Sequence, residues 1–198
     1  MNARRTGRRP GTPDTREAIL AAAREAFAER GFDAASIRAI AAAAGVDPAL
    51  VHHYFGGKEE LFRAATAFPA DPGRLLPAVL AGGPDALGER MVRVFLEVWD
   101  SPTGAAAVAL LRSAVSNDWT ARLLREFLVT QVLRRVLDQL DVDPAQRALR
   151  GGLVATQLAG LAMMRYVLRL DAVATAEPAT LVAAVGPTVQ RYLTGDIT

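Results

Sequence analysis

The sequence predicts an all-α protein in which an N-terminal three-helix helix-turn-helix unit precedes a larger helical domain. Three observations carry this. Hydrophobic residues make up 51% of the chain, much of that alanine, and alanine, leucine and arginine all favour helix. Aromatic or β-branched runs at strand spacing are scarce. Apolar residues recur at helical spacing between start and stop signals, which divide the chain into about ten helices.

The first helix is expected from about Pro13 to Arg30. Thr12 or Asp14 is placed to cap it, and Asp14 with Glu17 has capping-box spacing. Ile19, Ala22, Ala23, Ala26 and Phe27 line one face, and Gly31 ends the run. Ser36 reads as the N-cap of a second helix, Ile37–Ala44, with Ile37, Ile40 and Ala41 inward and Gly45 as its stop. Asp47 caps a short third helix in which Pro48 takes the first position, where a missing N–H costs nothing. Gly56-Gly57 then breaks the chain before K-E-E-L-F-R-A-A-T-A-F opens a fourth helix. The short A-G-V connection between the second and third helices marks a helix-turn-helix.

After Phe68 the clusters P-A-D-P-G and A-G-G-P interrupt the pattern. Longer helices follow at roughly Asp85–Asp100, Gly104–Ser116, Thr120–Leu140, Ala145–Leu170 and Ala179–Leu193. The expected organisation is a basic arm at 1–12, the helix-turn-helix at 13–57, and a helical domain at 58–198 whose first helix is a connector.

Composition excludes several functions. There is no cysteine among 198 residues, which removes disulfides and thiolate zinc sites and fits a reducing cytoplasm. No apolar run approaches the roughly 20 residues of a membrane span, and the basic N-terminus leads into no hydrophobic signal core. A soluble, cytoplasmic chain without a membrane partner is expected. No G-x-S-x-G elbow, P-loop or metal-ligand pattern occurs, so neither an enzyme nor a cofactor is expected. Net charge is only +2, but Arg4, Arg5, Arg8 and Arg9 precede Asp14 without an intervening acid. Such an arm suits contact with a polyanion, or serves solubility alone.

The stretch V-D-P-A-L-V-H-H-Y-F-G-G-K-E-E-L holds both histidines, His52 and His53, and the only lysine, Lys58. Histidines at i and i+1 of a helix point about 100° apart and cannot clamp one ion together. A nucleophile and an orienting third group are also missing. A surface that meets nucleic acid fits better: Ala49, His52 and His53 are small or hydrogen-bonding, as base readers are, and Lys58 opens a helix whose N-terminus already favours an anion. The bland alternatives are solvent-facing histidines and an ordinary surface lysine.

From Thr15 to Phe62 the chain strongly resembles the DNA-binding domain of the tetracycline-repressor (TetR/AcrR) family, without a gap. The motifs that carry the resemblance are A-x-x-x-F-x-x-x-G-F, I-A-x-x-A-G-V and Y-F-x-x-K-x-x-L. It implies a dimeric transcriptional regulator, usually a repressor that a small molecule releases from a pseudo-palindromic double-stranded operator. Carried over by position, Ser36 and Arg38 would meet DNA, Ser36 mainly at phosphate. Ala49, Leu50, His52 and His53 would face the groove, Tyr54 would pack toward or bond the backbone, and Lys58 would take a phosphate. Asp47-Pro48 departs from the family, which often has a Ser-Lys pair there, and His52 stands where Tyr is frequent. A constitutive or architectural DNA-binding protein without an effector is the alternative.

Resemblance beyond residue 68 is looser. It implies that the last two long helices pair with their symmetry mates in a four-helix bundle. Ala155, Ala159 and Gly160 permit close approach there, while Leu158, Leu161, Val185, Val189 and Tyr192 supply apolar surface, although an intramolecular helix pair would use them equally well. The family's ligand pocket lies within this domain. Met91, Phe95, Trp99, Leu111, Phe127 and Met163 are candidate lining residues, or plain core, with Arg112 and Gln157 as polar anchors for an unknown small-molecule effector.

Overall fold

The computed structural model describes residues 13–197, and side chains from Thr15 onward. The arm with Arg4, Arg5, Arg8 and Arg9 lies outside the described residues, as do Thr12 and the side chain of Asp14. Every regular element among the described residues is helical. They form two compact units that divide after Thr66.

In the first unit, α1 (Pro13–Ala34) is broken at Gly31, whose φ of 76° and ψ of 173° leave the helical region. That is where the sequence placed the stop, and the break swings Phe32 back onto the core. Phe27 and Phe62 meet edge to face with ring centroids 4.7 Å apart, and Phe32 lies 5.0 Å from Phe62. α2 (Ile37–Ala43) starts on Ser36, whose hydroxyl accepts the Ala39 N–H at 3.2 Å. It ends in a Schellman turn: Val46 N–H reaches the Ala41 carbonyl at 3.0 Å and Gly45 N–H the Ala42 carbonyl at 3.2 Å. Gly45 needs its φ of 67°, which a side chain would resist. α3 (Pro48–Phe55) is capped by Asp47, which accepts the Ala49 N–H at 2.8 Å. α4 (Lys58–Thr66), expected to open the second domain as its connector, packs within the first unit. Its Leu61 and Phe62 are fully buried, and the Arg24 guanidinium of α1 donates to its Ala65 carbonyl at 3.3 Å.

The second unit begins with a helix that the sequence reading did not contain, α5 (Pro72–Leu80). Asp71 accepts the Gly73 N–H at 3.0 Å and Pro72 takes the first turn, the same start signal as Asp47-Pro48. α6 (Leu87–Trp99) and α7 (Gly104–Ser116) follow, bent 99° from each other. α8 (Asp118–Phe127) runs through a π-helical segment, Leu128–Leu133, into α9 (Arg134–Leu137). α10 (Arg147–Ala162) also ends in a π segment, Met163–Val167. The short α11 (Asp171–Ala174) leads to α12 (Pro178–Thr194).

The core of this unit joins α6, α9, α10 and α12 through Val92, Leu96, Val136, Val154, Val189 and Leu193. α6 and α12 cross at Gly88 and Gly186. A Cβ on Gly88 would collide with the Gly186 carbonyl oxygen and the Gln190 nitrogen, and one on Gly186 would lie 2.7 Å from Glu89 Cγ. Gly88 N–H donates to Gln190 Oε1 at 2.8 Å, which fixes the crossing. Arg150, only 7% exposed, has no carboxylate among its hydrogen-bond partners. Its guanidinium donates to the carbonyls of Tyr192 (3.0 Å) and Gly195 (2.9 Å) at the negative end of α12.

Candidate nucleic-acid interface and an apolar cavity

α3 has a clear inside and outside. Val51 and Phe55, one turn apart, are buried and anchor it. Ala49, His52 and His53 are exposed, while Leu50 and Tyr54 are half-buried. At the start of α2, Ser36 and Arg38 are exposed too. The helix is therefore held by one face and offers the other to solvent.

Two of its side chains have constrained chemistry. His52 Nδ1 lies 3.1 Å from the Gly56 carbonyl oxygen. Because a carbonyl only accepts, Nδ1 carries the proton in this contact and Nε2 of the neutral ring is left as an acceptor. The His53 ring meets the Tyr54 ring edge to face at 5.3 Å, which limits its rotation. Lys58 is placed differently from the free cation that the sequence suggested. It is half-buried, its ammonium donates to the Asp33 carbonyl at 3.1 Å, and it sits 4.7 Å above the Phe32 ring. It thus ties α4 to the end of α1. The sequence reading overlooked Arg16, an exposed guanidinium 5.1 Å over the Phe55 ring and so beside α3. Nothing local marks it, since a contact between α1 and α3 is visible only in three dimensions.

The second unit contains a partly open cavity of about 160 Å³. Its walls come from α5 (Leu75, Leu76, Val79), α6 (Met91, Phe95, Trp99), α7 (Leu110, Leu111), the α8–α9 rod (Leu124, Leu128, Val132) and α10 (Ala155, Leu158, Ala159), and every side chain that borders it is apolar. Met91, Phe95, Trp99 and Leu111 of the expected lining are there. Phe127 is not: it is fully buried behind the wall, with its ring 4.6 Å from that of Phe68. Met163, Arg112 and Gln157 do not border the cavity either, and Arg112 is exposed on α7. The cavity thus has neither of the two expected polar anchors in its walls.

A polar group sits just behind one aromatic wall. Trp99 stacks on Tyr166 with centroids 5.3 Å apart. The Tyr166 hydroxyl donates to Asp100 Oδ1 at 2.9 Å, and Arg165 reaches Asp100 Oδ2 at 3.5 Å. Burial first, then the Asp100 carboxylate, push the Tyr166 phenol well above its ordinary value, with Arg165 opposing. The Arg165 guanidinium also donates to the carbonyls of Val173 (2.8 Å) and Ala176 (2.9 Å), which holds the connection through α11.

The residues expected at a dimer interface differ in exposure: Ala159 is exposed, and Ala155, Leu158, Val185 and Tyr192 are half-buried. Val189 is fully buried and Leu161 is 8% exposed, both inside the chain's own core. Ala155, Leu158 and Ala159 border the cavity. Val185 and Tyr192 are half-buried against the core. The exposed positions of the same two helices include Leu149, Gly152, Thr156, Ala159, Gly160 and Met164 on α10 and its π extension, and Ala183, Ala184, Pro187 and Arg191 on α12. Of these ten only Arg191 is charged.

An anchored helix-turn-helix with hydrogen-bonding side chains exposed on its second helix, joined in one chain to an all-helical domain, defines the class of helical DNA-binding regulators. Family comparisons agree. Residues 19–65 match the model for bacterial regulatory proteins of the tetR family, and residues 85–193 match the tetracyclin repressor-like C-terminal domain. The chain belongs to this family and is a DNA-binding transcriptional regulator. A TetR-family regulator from Streptomyces coelicolor A3 is 42% identical, covering 95% of this chain and 99% of that one, with a TM-score of 0.46. The transcriptional regulator UidR of Escherichia coli (strain K12) is 46% identical over 50 residues, 25% of this chain and 26% of UidR. The transcriptional repressor AcnR of Corynebacterium efficiens is 41% identical over 59 residues, 30% of each chain. These curated relatives are thus matched over less than a third of their length. Among the described residues no single helix is long and apolar enough to cross a membrane, and no group of three or more His, Asp or Glu side chains is placed to hold a metal ion.

Proposed function

We propose that the chain acts as a homodimeric repressor, without catalysis of its own, that holds a pseudo-palindromic duplex operator and leaves it when a small molecule fills the second unit's cavity. One observation carries the reading. A single chain joins a solvent-facing recognition helix, anchored on a core of fully buried side chains, to a separate unit that holds an apolar cavity.

In this reading Ser36, Arg38 and Arg16 meet phosphates, as do the arginines of the arm. Ala49, Leu50, His52 and His53 face the major groove, and Tyr54 bonds the backbone. Lys58 positions α4 and adds its remaining donors to a phosphate. The dimer forms through the largely uncharged outward faces of α10 and α12, where glycines at 152 and 160 have open space around them and admit a partner helix closely. Two copies of α3 then sit about one turn of DNA apart.

Selection of bound fragments from a random duplex library, at fixed moderate salt, tests this. An enriched inverted repeat that binds two chains supports the reading. Enrichment of a single half-site bound by one chain removes the dimer, and no enrichment removes operator recognition.

A further inference from the structure

We infer that the effector is a neutral, compact, hydrocarbon-like molecule of about six to ten carbons, such as an alkylbenzene, and that charged or strongly polar compounds are excluded. This rests on the reading of the cavity as an effector site and names the chemistry that site accepts.

The lining decides the polarity. Every side chain bordering the cavity is apolar, from Leu75 and Val79 on one side to Leu111, Val132 and Ala155 on others. A carboxylate or ammonium held against the apolar lining would give up water there and gain no partner, a cost that packing against hydrocarbon does not offset. The nearest polar groups bond chiefly to one another and to backbone. The Tyr166 hydroxyl donates a hydrogen bond to Asp100, Arg165 Nη2 faces the same carboxylate, and Arg165 Nη1 donates to backbone carbonyls, which leaves the buried Arg165 Nε as the one atom of this group without a partner. None of the three borders the cavity. Arg112 and Gln157 are absent from the walls as well.

The volume decides the size. At about 160 Å³ the space compares with an engineered apolar cavity of about 150 Å³ that takes up benzene. The Phe95–Trp99 pair, with centroids 5.3 Å apart, presents ring surface on which a flat aromatic guest can pack. Water has no polar partner in such a space, so a guest displaces nothing that was well bound.

The probe is p-xylene, set against two charged molecules of nearly the same shape, p-toluate and 4-methylbenzylammonium. Trp119→Phe leaves Trp99, in the cavity wall, as the only fluorophore of its kind. The expected result is saturable quenching or shift of Trp99 emission and a raised melting temperature with p-xylene. Binding of both ions should be weaker by about 100-fold or more. Ala155→Phe, which fills the space from α10, should abolish the p-xylene response; Ala159→Phe serves as a second filling variant should the first fail to fold. Equal or tighter binding of either ion overturns the inference. So does decanoate binding more tightly than p-xylene, since an acid head group would then have found a partner. Binding of p-xylene without any effect on DNA affinity would leave the inferred chemistry of the cavity standing and defeat its reading as an effector site instead.

Discussion

The two units are both helical, yet their interiors differ. The first is filled: Phe27, Phe32 and Phe62 interlock, and Ile19, Ala23, Ile40, Ala41, Val51 and Leu61 are fully excluded from solvent. The second closes tightly where α6 crosses α12 at two glycines, and leaves space between α5, α6, α7 and α10. A filled interior gives its surface helices one position, which is what reading DNA requires. A hollow one leaves a site at which binding energy can select one arrangement of the helices over another.

Substitutions can break this comparison, beginning with the largest effect. Gly88→Val places a side chain against backbone atoms that have nowhere to move, so it should cost more than about 4 kcal/mol and abolish cooperative melting of the second unit. Phe62→Ala should cost about 3–5 kcal/mol in the first unit and remove DNA binding with it, read by denaturant titration and by electrophoretic shift. The contrast is sharpened by one substitution made twice. Ala23→Phe, in the filled core, should destabilise by about 1–3 kcal/mol or more. Ala155→Phe, at the cavity, should be neutral or stabilising by up to about 1 kcal/mol. Equal losses at both sites would mean that the second unit is not hollow in solution. His53→Ala should weaken binding at the selected operator by about 1–3 kcal/mol and leave random DNA unaffected.

A smaller effect concerns alkali. Tyr166 keeps its proton in the fold beyond the ordinary phenol value of 10.0, whereas the unfolded chain loses it there. Stability of the second unit should therefore fall as pH rises above about 10, because the unfolded state then binds fewer protons. Tyr166→Phe should remove that part of the slope, as measured by melting at pH 9 and pH 11 (~2 units apart).

Much of this was legible in the sequence where the signals are local. Ser36, Gly45, Asp47-Pro48 and Gly56 each set a helix end through contacts within a few residues. α5 was missed although Asp71-Pro72 repeats the Asp47-Pro48 signal, because nine residues between breaker clusters, with Pro77 inside, show too little periodicity. The π segments likewise leave the 3.6-residue pattern. Side-chain partners distant in sequence were invisible: Lys58 on Phe32, Arg16 on Phe55, Gly88 against Gly186. α10 is apolar on several faces, with Ala155 and Leu158 toward the cavity and Leu149 and Met164 outward. Periodicity could choose that helix for a cavity or an interface, but not decide which face serves which.

Titration of the selected operator duplex with the protein, with and without saturating p-xylene, at one salt concentration, tests the central claim most directly. Wild type should lose operator affinity by about tenfold or more when p-xylene is present, the range of ordinary allosteric coupling, while Ala155→Phe binds the operator tightly in both conditions. Unchanged affinity in wild type, or the same loss in both proteins, would contradict the assignment of the filled unit to DNA and the hollow unit to its release.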